Sequence, residues 1–435
     1  MSRKVILFVL VFLMAAALIP AFPRAQAQDP LKIGLLVDQS GALTIYGYEL
    51  EQGFKLGLLY AAGVKLADHN NSLDEALKAV TIAGRPVEVI MRDNGSKPDD
   101  AATQARELIE QEGVEILVGA PSSGVMTGVQ QVALDSDVIL FAAPAASPAI
   151  TGANFNVNTF RVCRNTFQDF LAFAPYAKEN LKGKFVILAI DNDFGKASAG
   201  AAQGVLGGAG IEFVGAPIYA PLDTTDFTPY LQQVLASGAT AMLPIWAGDS
   251  SVTLFQQIAE LGVGEKLAVV AAFNSNDIVA KSDPSTIGNI SWIVYHYSFP
   301  TNDINTWMVN AHKAVYNDVP DLFTECSFAT AQALVNAVTT TKGDATPEAM
   351  IPALEGLVFE GPKGTYAIRP SDHQALVPMY VAKLANLTDP DQKFYELLAE
   401  VPAKAIIPPV LLPEAILADR VKLDEAFMKM IAEMP

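Results

Sequence analysis

Residues 114–126 read VEILVGAPSSGVM and join a short apolar run to a glycine-bounded turn. The turn, Gly119 to Gly124, has the G-x-x-x-x-G spacing that opens a phosphate-binding loop. Such a loop continues with a lysine that reaches the outer phosphates and a hydroxyl residue that holds magnesium. Val125 and Met126 stand at those two positions. The stretch therefore predicts a strand, a turn and the start of a helix, and a ligand other than a nucleoside triphosphate.

Strand-like and helix-like segments alternate along most of the chain. The candidate strands are mostly continuous apolar runs, a pattern typical of parallel strands that are covered on both faces. They are LKIGLLVDQ, PVEVIMRDN, VEILVGAP, VILFAAPAA, KFVILAIDND, IEFVGAPIY, TAMLPIWAG, KLAVVAAFN and ISWIVYHY. Helical segments such as TFQDFLAFAPYAKENLKG, with Thr166 as a candidate N-cap, separate them. This alternation predicts an α/β fold with right-handed crossovers.

The alternation runs in two series, from Leu31 to about Ala146 and from Lys184 to about Val294. A chain of 435 residues is also too long for a single core. Two α/β units in succession predict two Rossmann-like lobes. Because ligands of open α/β sheets bind at the carboxyl ends of the strands, we expect a central ligand cleft between the lobes.

Residues 1–27 have the features of a secretory signal peptide. Arg3 and Lys4 precede a long apolar run, and Ala25-Gln26-Ala27 has the small-x-small pattern of a cleavage site. An uncleaved membrane anchor is the alternative, because the run approaches spanning length. Pro20, Pro23 and the cleavage pattern favour removal, and no cysteine near the site supports a lipid anchor. We expect a soluble protein exported to the periplasm or another extracytoplasmic compartment.

The formal net charge is -18, and no cluster of Lys and Arg offsets it locally. Such an acidic surface repels nucleic acid and anionic lipid. Nucleic acid is therefore not an expected partner.

The chain has two cysteines, Cys163 and Cys326. An oxidising compartment permits a disulfide between them, but their spacing does not show that they meet. The sequence leaves open a disulfide or two buried free thiols.

Motifs of common enzyme sites are absent. The four histidines are scattered and have no metal-ligand spacing. The stretch GDSSV at 248–252 lacks the closing glycine of a nucleophile elbow. Asp191 and Asp193 are better explained as turn and helix-capping residues than as a catalytic pair. We therefore expect no enzyme activity, no metal and no cofactor.

Small hydroxyl residues and aromatic side chains follow the candidate strands. They are Tyr46, Ser122, Ser123, Ala145 (through its backbone) and Ser147 in the first series, and Phe194, Trp246 and Phe273 in the second. Hydroxyls, backbone N–H groups and the positive end of a helix suit a single carboxylate and need no lysine. Each serine alone could be a helix cap, and each aromatic residue alone could be a core residue. Their joint placement at strand ends favours a ligand pocket.

Several of these stretches, in this order, resemble the type I periplasmic solute-binding proteins of ABC importers, and most closely the branched-chain amino acid group. They are SG-x(4)-YG from Ser40, the Ser-Ser-Gly turn, PAAS-P-x-x-T from Pro144, FR-x-C-RN from Phe160 and D-x-D-[FY]-G from Asp191. The resemblance extends to about Leu384. It implies two lobes that are joined by three crossovers and close on a ligand.

By that analogy, lobe 1 comprises residues 28–160 and 298–373. Lobe 2 comprises residues 161–297 and 374–384. We expect residues 385–435, which are punctuated by prolines, to form a C-terminal extension packed on one lobe.

The resemblance also suggests roles for individual residues. Ser122 is similar to the serine that holds the α-carboxylate of the ligand, with Ser123 beside it. Ala145 (backbone) and Ser147 are similar to its partners in the next turn, and Tyr46 to the aromatic residue lining that lobe.

In the second lobe, Phe194 stands where the family often has Tyr, and Trp246 would help to enclose the ligand. Asn274 falls where amino-acid binders place an acidic residue against the ligand ammonium. A buried ammonium without a carboxylate is undercompensated. If Asp249 or Asp277 supplies the charge, the ligand is an aliphatic amino acid. If neither does, an aromatic or branched acid without an amine, or an amide, is expected.

The expected function is capture of a small carboxylate-bearing solute, such as a hydrophobic amino acid, and its delivery to the membrane subunits of an ABC permease. The alternative from another class is a ligand sensor that signals to a membrane receptor. A monomer is expected, since nothing in the chain indicates an oligomer.

Overall fold

The computed structural model describes residues 29–433. Its first sheet contains β1 (Leu31–Val37), β2 (Thr81–Ile82), β3 (Arg85–Asp93), β4 (Ile116–Val118), β5 (Ile139–Phe141) and β6 (Thr159–Phe160). The order is β2-β3-β1-β4-β5-β6, and only the edge strand β2 is antiparallel to its neighbour. The carboxyl ends of β1 and β3 to β6 therefore meet along one edge.

Helices cover both faces of this sheet. They are α1 (Thr44–Ala61), α2 (Leu73–Lys78), α3 (Pro98–Glu110) and α4 (Ser123–Asp135). In β1, Leu35 packs in the core that contains Phe54 of α1, whereas Leu36 packs in the core of Leu108 and Val125 from α3 and α4. Because both faces are buried, the strand is apolar along nearly its whole length.

The second sheet contains β7 (Lys184–Ile190), β8 (Glu212–Phe213), β9 (Ile218–Ala220), β10 (Ala241–Ile245) and β11 (Ala268–Val269). Its strands are parallel, in the order β11-β10-β7-β8, with β9 also paired to β7. The accompanying helices are α5 (Thr166–Asn180), α6 (Asp193–Gly208), α7 (Thr228–Ala236), α8 (Ser251–Glu260), α9 (Val263–Lys266) and α10 (Asn276–Val279). The two parallel sheets confirm the predicted α/β class.

Two smaller antiparallel sheets complete the strands of residues 29–433. One contains β12 (Ile290–Ile293), β16 (Met379–Leu384) and β17 (Tyr395–Val401), and the other contains β13 (Val358–Gly361), β14 (Gly364–Ile368) and β15 (Ala375–Leu376). The remaining helices are α11 (Asp303–Tyr316), α12 (Thr324–Thr340), α13 (Pro347–Leu354), α14 (Glu414–Arg420) and α15 (Asp424–Glu433). Helix α12 packs along α1. The run ISWIVYHY, which we placed in the second parallel series, belongs instead to an antiparallel sheet.

Three connecting segments, after β6, β12 and β15, run between the regions of the two parallel sheets. The Arg161 N–H donates to the His373 carbonyl at 3.0 Å, and the Ala375 N–H donates to the Arg161 carbonyl at 2.8 Å. The Nζ of Lys363 donates to the Val294 carbonyl at 3.1 Å. Hydrogen bonds thus tie the first connection to the residues around β15, and the turn between β13 and β14 to the second connection.

Cys163 and Cys326 form a disulfide, with their Cα atoms 5.1 Å apart. This settles the question that the sequence left open. The bond joins the first connecting segment to the first turn of α12.

The C-terminal segment contacts two parts of the molecule. Strand β17 extends the sheet of β12 and β16, whereas Phe427 and Ile431 of α15 pack against Ala367 and Leu376. The division into two lobes and an extension stays a prediction. The predicted leader, residues 1–27, lies outside the described residues. Within residues 29–433 no helix has the length and hydropathy needed to cross a bilayer.

Candidate functional site

A cavity of about 110 Å³ lies where the carboxyl ends of the two parallel sheets face each other. Pro121, Ser122 and Ser123 reach it from the end of β4, and Trp246 reaches it from the end of β10. Eight aromatic side chains line it: Tyr46, Phe170, Phe194, Trp246, Phe255, Phe273, Trp292 and Phe323. Among the described lining residues, only Arg164 and Asp169 carry an ionisable charge at neutral pH.

The N-terminus of α4 faces the cavity through Ser122 and Ser123. Ser122 occupies the N-cap position, and within residues 29–433 its hydroxyl has no hydrogen-bond partner, although the residue is only 3 % exposed. In the first turn the Val125 N–H donates to the Ser122 carbonyl at 3.2 Å, whereas the N–H groups of Ser123 and Gly124 have no acceptor within residues 29–433. Together with the positive end of the helix dipole, they form a place for a negatively charged group.

The Ser123 hydroxyl, unlike that of Ser122, has a hydrogen-bond partner within the protein. It accepts a hydrogen bond from the Ser147 N–H at 3.1 Å. This bond holds the turn after β5 against the start of α4.

Ala145 and Ser147 lie behind the cavity wall, and Pro144 and Ala146 are the lining residues of that turn. The Ser147 hydroxyl accepts from the Ala149 N–H at 3.2 Å, which caps the short 3-10 helix that follows. The Arg161 guanidinium donates to the Ser147 carbonyl at 2.6 Å. Since the polar groups of Ser147 are engaged in this way, the turn offers the cavity its neighbour Ala146 instead. A role for Ala145 and Ser147 in ligand binding stays a prediction.

Tyr46 lines the cavity and joins the two sheet regions. Its hydroxyl accepts from the Gly248 N–H at 3.2 Å, and its ring meets Phe323 edge-on at 4.7 Å. Burial raises the pKa of the Tyr46 hydroxyl above its ordinary value, so it is a neutral group at any physiological pH.

The other three predicted residues, Phe194, Trp246 and Asn274, also line the cavity. The Trp246 Nε1 donates to the Ser250 hydroxyl at 3.0 Å, which fixes the orientation of the indole. The Asn274 carbonyl accepts from the Tyr395 hydroxyl at 3.4 Å. Its side-chain amide has no hydrogen bond to another group of residues 29–433, which leaves it available to a ligand.

Sequence reasoning missed Arg164 and Asp169 as cavity residues. The Arg164 Nε donates to the Asp169 Oδ1 at 3.2 Å, and both side chains are buried. Burial raises the pKa of the Asp169 carboxyl, and the Arg164 charge lowers it in opposition. The only sequence signal was the position of Arg164 in the FR-x-C-RN stretch. Asp249 and Asp277, the two candidates for a counter-charge, are not lining residues.

Hydrogen bonds cross the cleft at its edges. The Asp249 N–H donates to the Ala42 carbonyl at 3.0 Å. The Ser275 hydroxyl donates to Glu49 at 2.8 Å, and the Asn276 N–H donates to Asp321 at 2.6 Å. The two sides are therefore in contact around the cavity, as in a closed binding protein.

Comparison with known proteins gives matches over most of the chain. The sequence profile described as periplasmic binding protein matches residues 30–389. The Leu/Ile/Val-binding protein homolog 6 of Brucella suis is 24% identical over 392 residues, covering 87% of this chain and 93% of that protein.

Solved structures give the same result. An ABC-type branched-chain amino acid transporter protein of Rhodopseudomonas palustris CGA009 is 28% identical with a TM-score of 0.69, covering 88% of this chain and 100% of that one. A solute-binding protein of an ABC transporter from Rhodopseudomonas palustris BisB5, in complex with 3,4-dihydroxy benzoic acid, is 22% identical with a TM-score of 0.73. The alignment covers 86% of this chain and 98% of that one.

Proposed function

The chain belongs to the periplasmic binding protein family, and the relatives named above include solute-binding proteins of ABC transporters. From this premise we propose that it captures a small aromatic carboxylate without an amine. It carries the solute outside the cytoplasm, after removal of its leader, to the membrane subunits of an ABC importer. One observation carries the proposal: the cavity joins the N-terminus of α4 to a wall of aromatic rings, and Asp169, the only acidic group among its described lining residues, is paired with Arg164.

The carboxylate end is supported by the start of α4. Ser122 supplies a buried hydroxyl without a partner in residues 29–433, and the first turn of the helix supplies N–H donors. A carboxylate is stabilised there by hydrogen bonds and by the helix dipole.

The absence of an amine is supported by the charges of the lining residues. Asp169 is paired with Arg164, Asn274 is neutral, and Asp249 and Asp277 lie outside the wall. A buried ammonium left without a free carboxylate loses a charge-assisted hydrogen bond and pays its desolvation in full. A simple carboxylate avoids that cost.

The aromatic body is supported by the lining of the cavity, which includes eight aromatic side chains among the described residues. Rings such as Phe194 and Trp246 stack on a flat ligand or meet it edge-on. The same fold accommodates 3,4-dihydroxy benzoic acid in the Rhodopseudomonas palustris BisB5 protein.

We infer that binding proceeds by hinge closure. The predicted lobes, residues 28–160 with 298–373 and residues 161–297 with 374–384, would separate about the connecting segments and release the edge contacts of Asp249, Ser275 and Asn276. A ligand that contacts both sides stabilises the closed state in proportion to its preference for that state.

A branched-chain amino acid is the second candidate, because the second carboxylate oxygen of Asp169 has no hydrogen bond to another group of residues 29–433 and could accept one from an ammonium. The curated relatives are Leu/Ile/Val-binding proteins, which agrees with this candidate. A sensor that signals to a membrane receptor would use the same cavity, and a permease encoded beside this chain would favour transport.

The test is calorimetric titration of the mature chain with benzoate and with leucine. Binding of benzoate and not of leucine is expected, with the acid recovered unchanged. Tight binding of leucine alone would overturn the aromatic proposal in favour of the second candidate.

Replacing Asn274 with Asp separates the two candidates further. We expect Asn274→Asp to weaken benzoate binding, because it adds a negative charge to the wall, and to improve binding of leucine. Improved benzoate binding in this variant would contradict the assignment of the carboxylate.

A further inference from the structure

Arg164 stands in an unusual position for a buried arginine. It lies on the first connecting segment, one residue before Asn165, whose side chain caps α5. The cap fixes the backbone at this point, so the Arg164 side chain is directed to the cavity from a rigid base. Arg164 lines the cavity and is 9 % exposed.

The hydrogen bonds of this guanidinium are incomplete. Only Nε has an acceptor, Asp169 Oδ1. Nη1 is buried without a partner, and Nη2 also donates no hydrogen bond to another group of residues 29–433. The guanidinium carbon lies 5.2 Å from the centre of the Phe323 ring, which covers one face of the group.

Leaving charged N–H groups buried and unpaired is costly. Nη1 has no accessible surface, whereas Nη2 can donate a charge-assisted hydrogen bond to a carboxylate or hydroxyl oxygen of a bound solute. Arg164 and Ser122 reach the cavity from different elements, the first connecting segment and the start of α4. Ser122 and Arg164 are therefore two separate polar groups in a lining that is rich in aromatic rings.

Resting on the proposed function, we propose that Arg164 binds a second acceptor group of the solute, so that the solute class is hydroxylated aromatic acids or aromatic dicarboxylates. The carboxylate at α4 and the acceptor at Arg164 fix the two ends of one ring. Asp169 positions the guanidinium through Nε and leaves Nη2 to the solute.

The test compares benzoate with 3- and 4-hydroxybenzoate and with benzene-1,3- and benzene-1,4-dicarboxylate on the mature chain. At least one doubly substituted acid is expected to bind about 10-fold or more tightly than benzoate. Comparison of the hydroxybenzoates with the dicarboxylates shows whether Arg164 binds a hydroxyl or a carboxylate. Comparison of the two ring positions within each pair shows where that group lies relative to the first carboxylate. In Arg164→Met the gain over benzoate is expected to vanish, because the doubly substituted acid loses a hydrogen bond that benzoate does not make, in addition to any effect that the unpaired Asp169 has on both acids.

Two results overturn the inference without touching the proposed function. One is benzoate binding as tightly as the best doubly substituted acid. The other is an equal loss for benzoate and for that acid in Arg164→Met, which would place Arg164 on the shared carboxylate. If no aromatic acid binds the wild-type chain, the proposed function itself fails.

Lys196→Met provides the matched control, since Lys196 is an exposed cation that pairs with Asp191 outside the cavity. Its binding of benzoate and of the best doubly substituted acid is expected to equal that of the wild type. Should Arg164→Met fail to fold, Arg164→Lys keeps the charge but not the shape of the guanidinium, and the same gain is expected to fall by about 10-fold. A gain left intact in Arg164→Lys would also overturn the inference.

Discussion

At the scale of single residues, Ser122 illustrates how a helix cap becomes a binding group. Its backbone has the extended conformation of an N-cap, yet its hydroxyl does not accept from the first turn of α4. A serine at this position usually satisfies an N–H of its own helix. Here the Ser122 hydroxyl and the N–H groups of Ser123 and Gly124 are available to a ligand.

Ser122→Ala is expected to weaken binding of an aromatic acid by roughly 10-fold, the usual value of one hydrogen bond to a charged group. Stability should change little, because the cap hydrogen bond is not made in the free protein. Isothermal titration measures the first effect and thermal unfolding the second. Ser285→Ala, at an exposed position outside the cavity, is the control, and equal binding by both variants would contradict the role of Ser122.

The turn after β5 shows which features of a site a sequence motif predicts and which it does not. The stretch PAAS-P-x-x-T correctly indicated a turn at the cavity, but Pro144 and Ala146 line it rather than Ala145 and Ser147. A one-residue difference cannot be decided from sequence, because it depends on which carbonyls accept hydrogen bonds from Arg161. Similarly, the N-cap of α5 is Asn165 and not the predicted Thr166. Both side chains are suitable helix caps, so the sequence does not decide between two neighbouring positions.

At the scale of elements, the packing of α1 on α12 depends on glycine. A Cβ at Gly53 would lie 2.1 Å from the Thr324 carbonyl oxygen. This close approach holds α12 against the helix that carries Tyr46 and Glu49. No local pattern indicates this contact, because a glycine within a helix is by itself only unfavourable for helix formation.

Gly53→Ala is expected to lower the free energy of unfolding by about 1–3 kcal/mol, since the two helices must move apart. The matched control is Gly204→Ala in α6, where a Cβ would meet nothing within 4 Å. That variant should gain about 0.5–1 kcal/mol from helix propensity. Urea denaturation gives both values, and stabilisation in both variants would show that α1 and α12 are not tightly packed.

The disulfide is a second link between elements. It closes a span of 163 residues between the first connecting segment and α12. Cys163→Ala/Cys326→Ala is expected to lose about 2–5 kcal/mol of unfolding free energy, because a long closed loop restricts the unfolded chain. Reductant should destabilise the wild type and leave the double variant unchanged; a wild type insensitive to reduction would contradict a stabilising role.

At the scale of the whole molecule, two buried carboxylates accept hydrogen bonds across the edge of the cleft. Glu49 accepts from Ser275, and Asp321 accepts from Asn276. Burial, with smaller contributions from Asp277 and Asp318, raises the pKa of Asp321 to about 7, although two backbone hydrogen bonds act in the opposite direction. Burial and the nearby Asp321 also raise the pKa of Glu49. Two adjacent carboxyls of this kind do not both ionise readily.

A group whose folded-state pKa is raised stabilises the folded protein at low pH, and its contribution is lost as pH rises through that pKa. For Asp321 the contribution is full below its ordinary value of 3.8 and is lost as pH rises through about 7. The melting temperature of the wild type relative to Asp321→Asn is therefore expected to fall between pH 5 and pH 8. Asp223→Asn, on the exposed surface, is the control, and a constant difference for Asp321→Asn would contradict the expectation.

The sequence alone determined the α/β class, the two series of strands and the strand ends at which the ligand cavity forms. These follow from local patterns: continuous apolar runs, helix signals between them, and small polar residues where strands end. It also indicated Tyr46, Ser122, Ser123, Phe194, Trp246 and Asn274, which the structure places together around the cavity.

Only the tertiary structure decided which groups remain free. The disulfide of Cys163 with Cys326, the pair of Arg164 with Asp169, and the exclusion of Asp249 and Asp277 from the wall depend on contacts between residues distant in the chain or on the direction of a side chain. No local pattern encodes those contacts. The charge that a cavity offers to a ligand is what remains after the protein has satisfied its own buried groups, and that balance is set by three-dimensional packing.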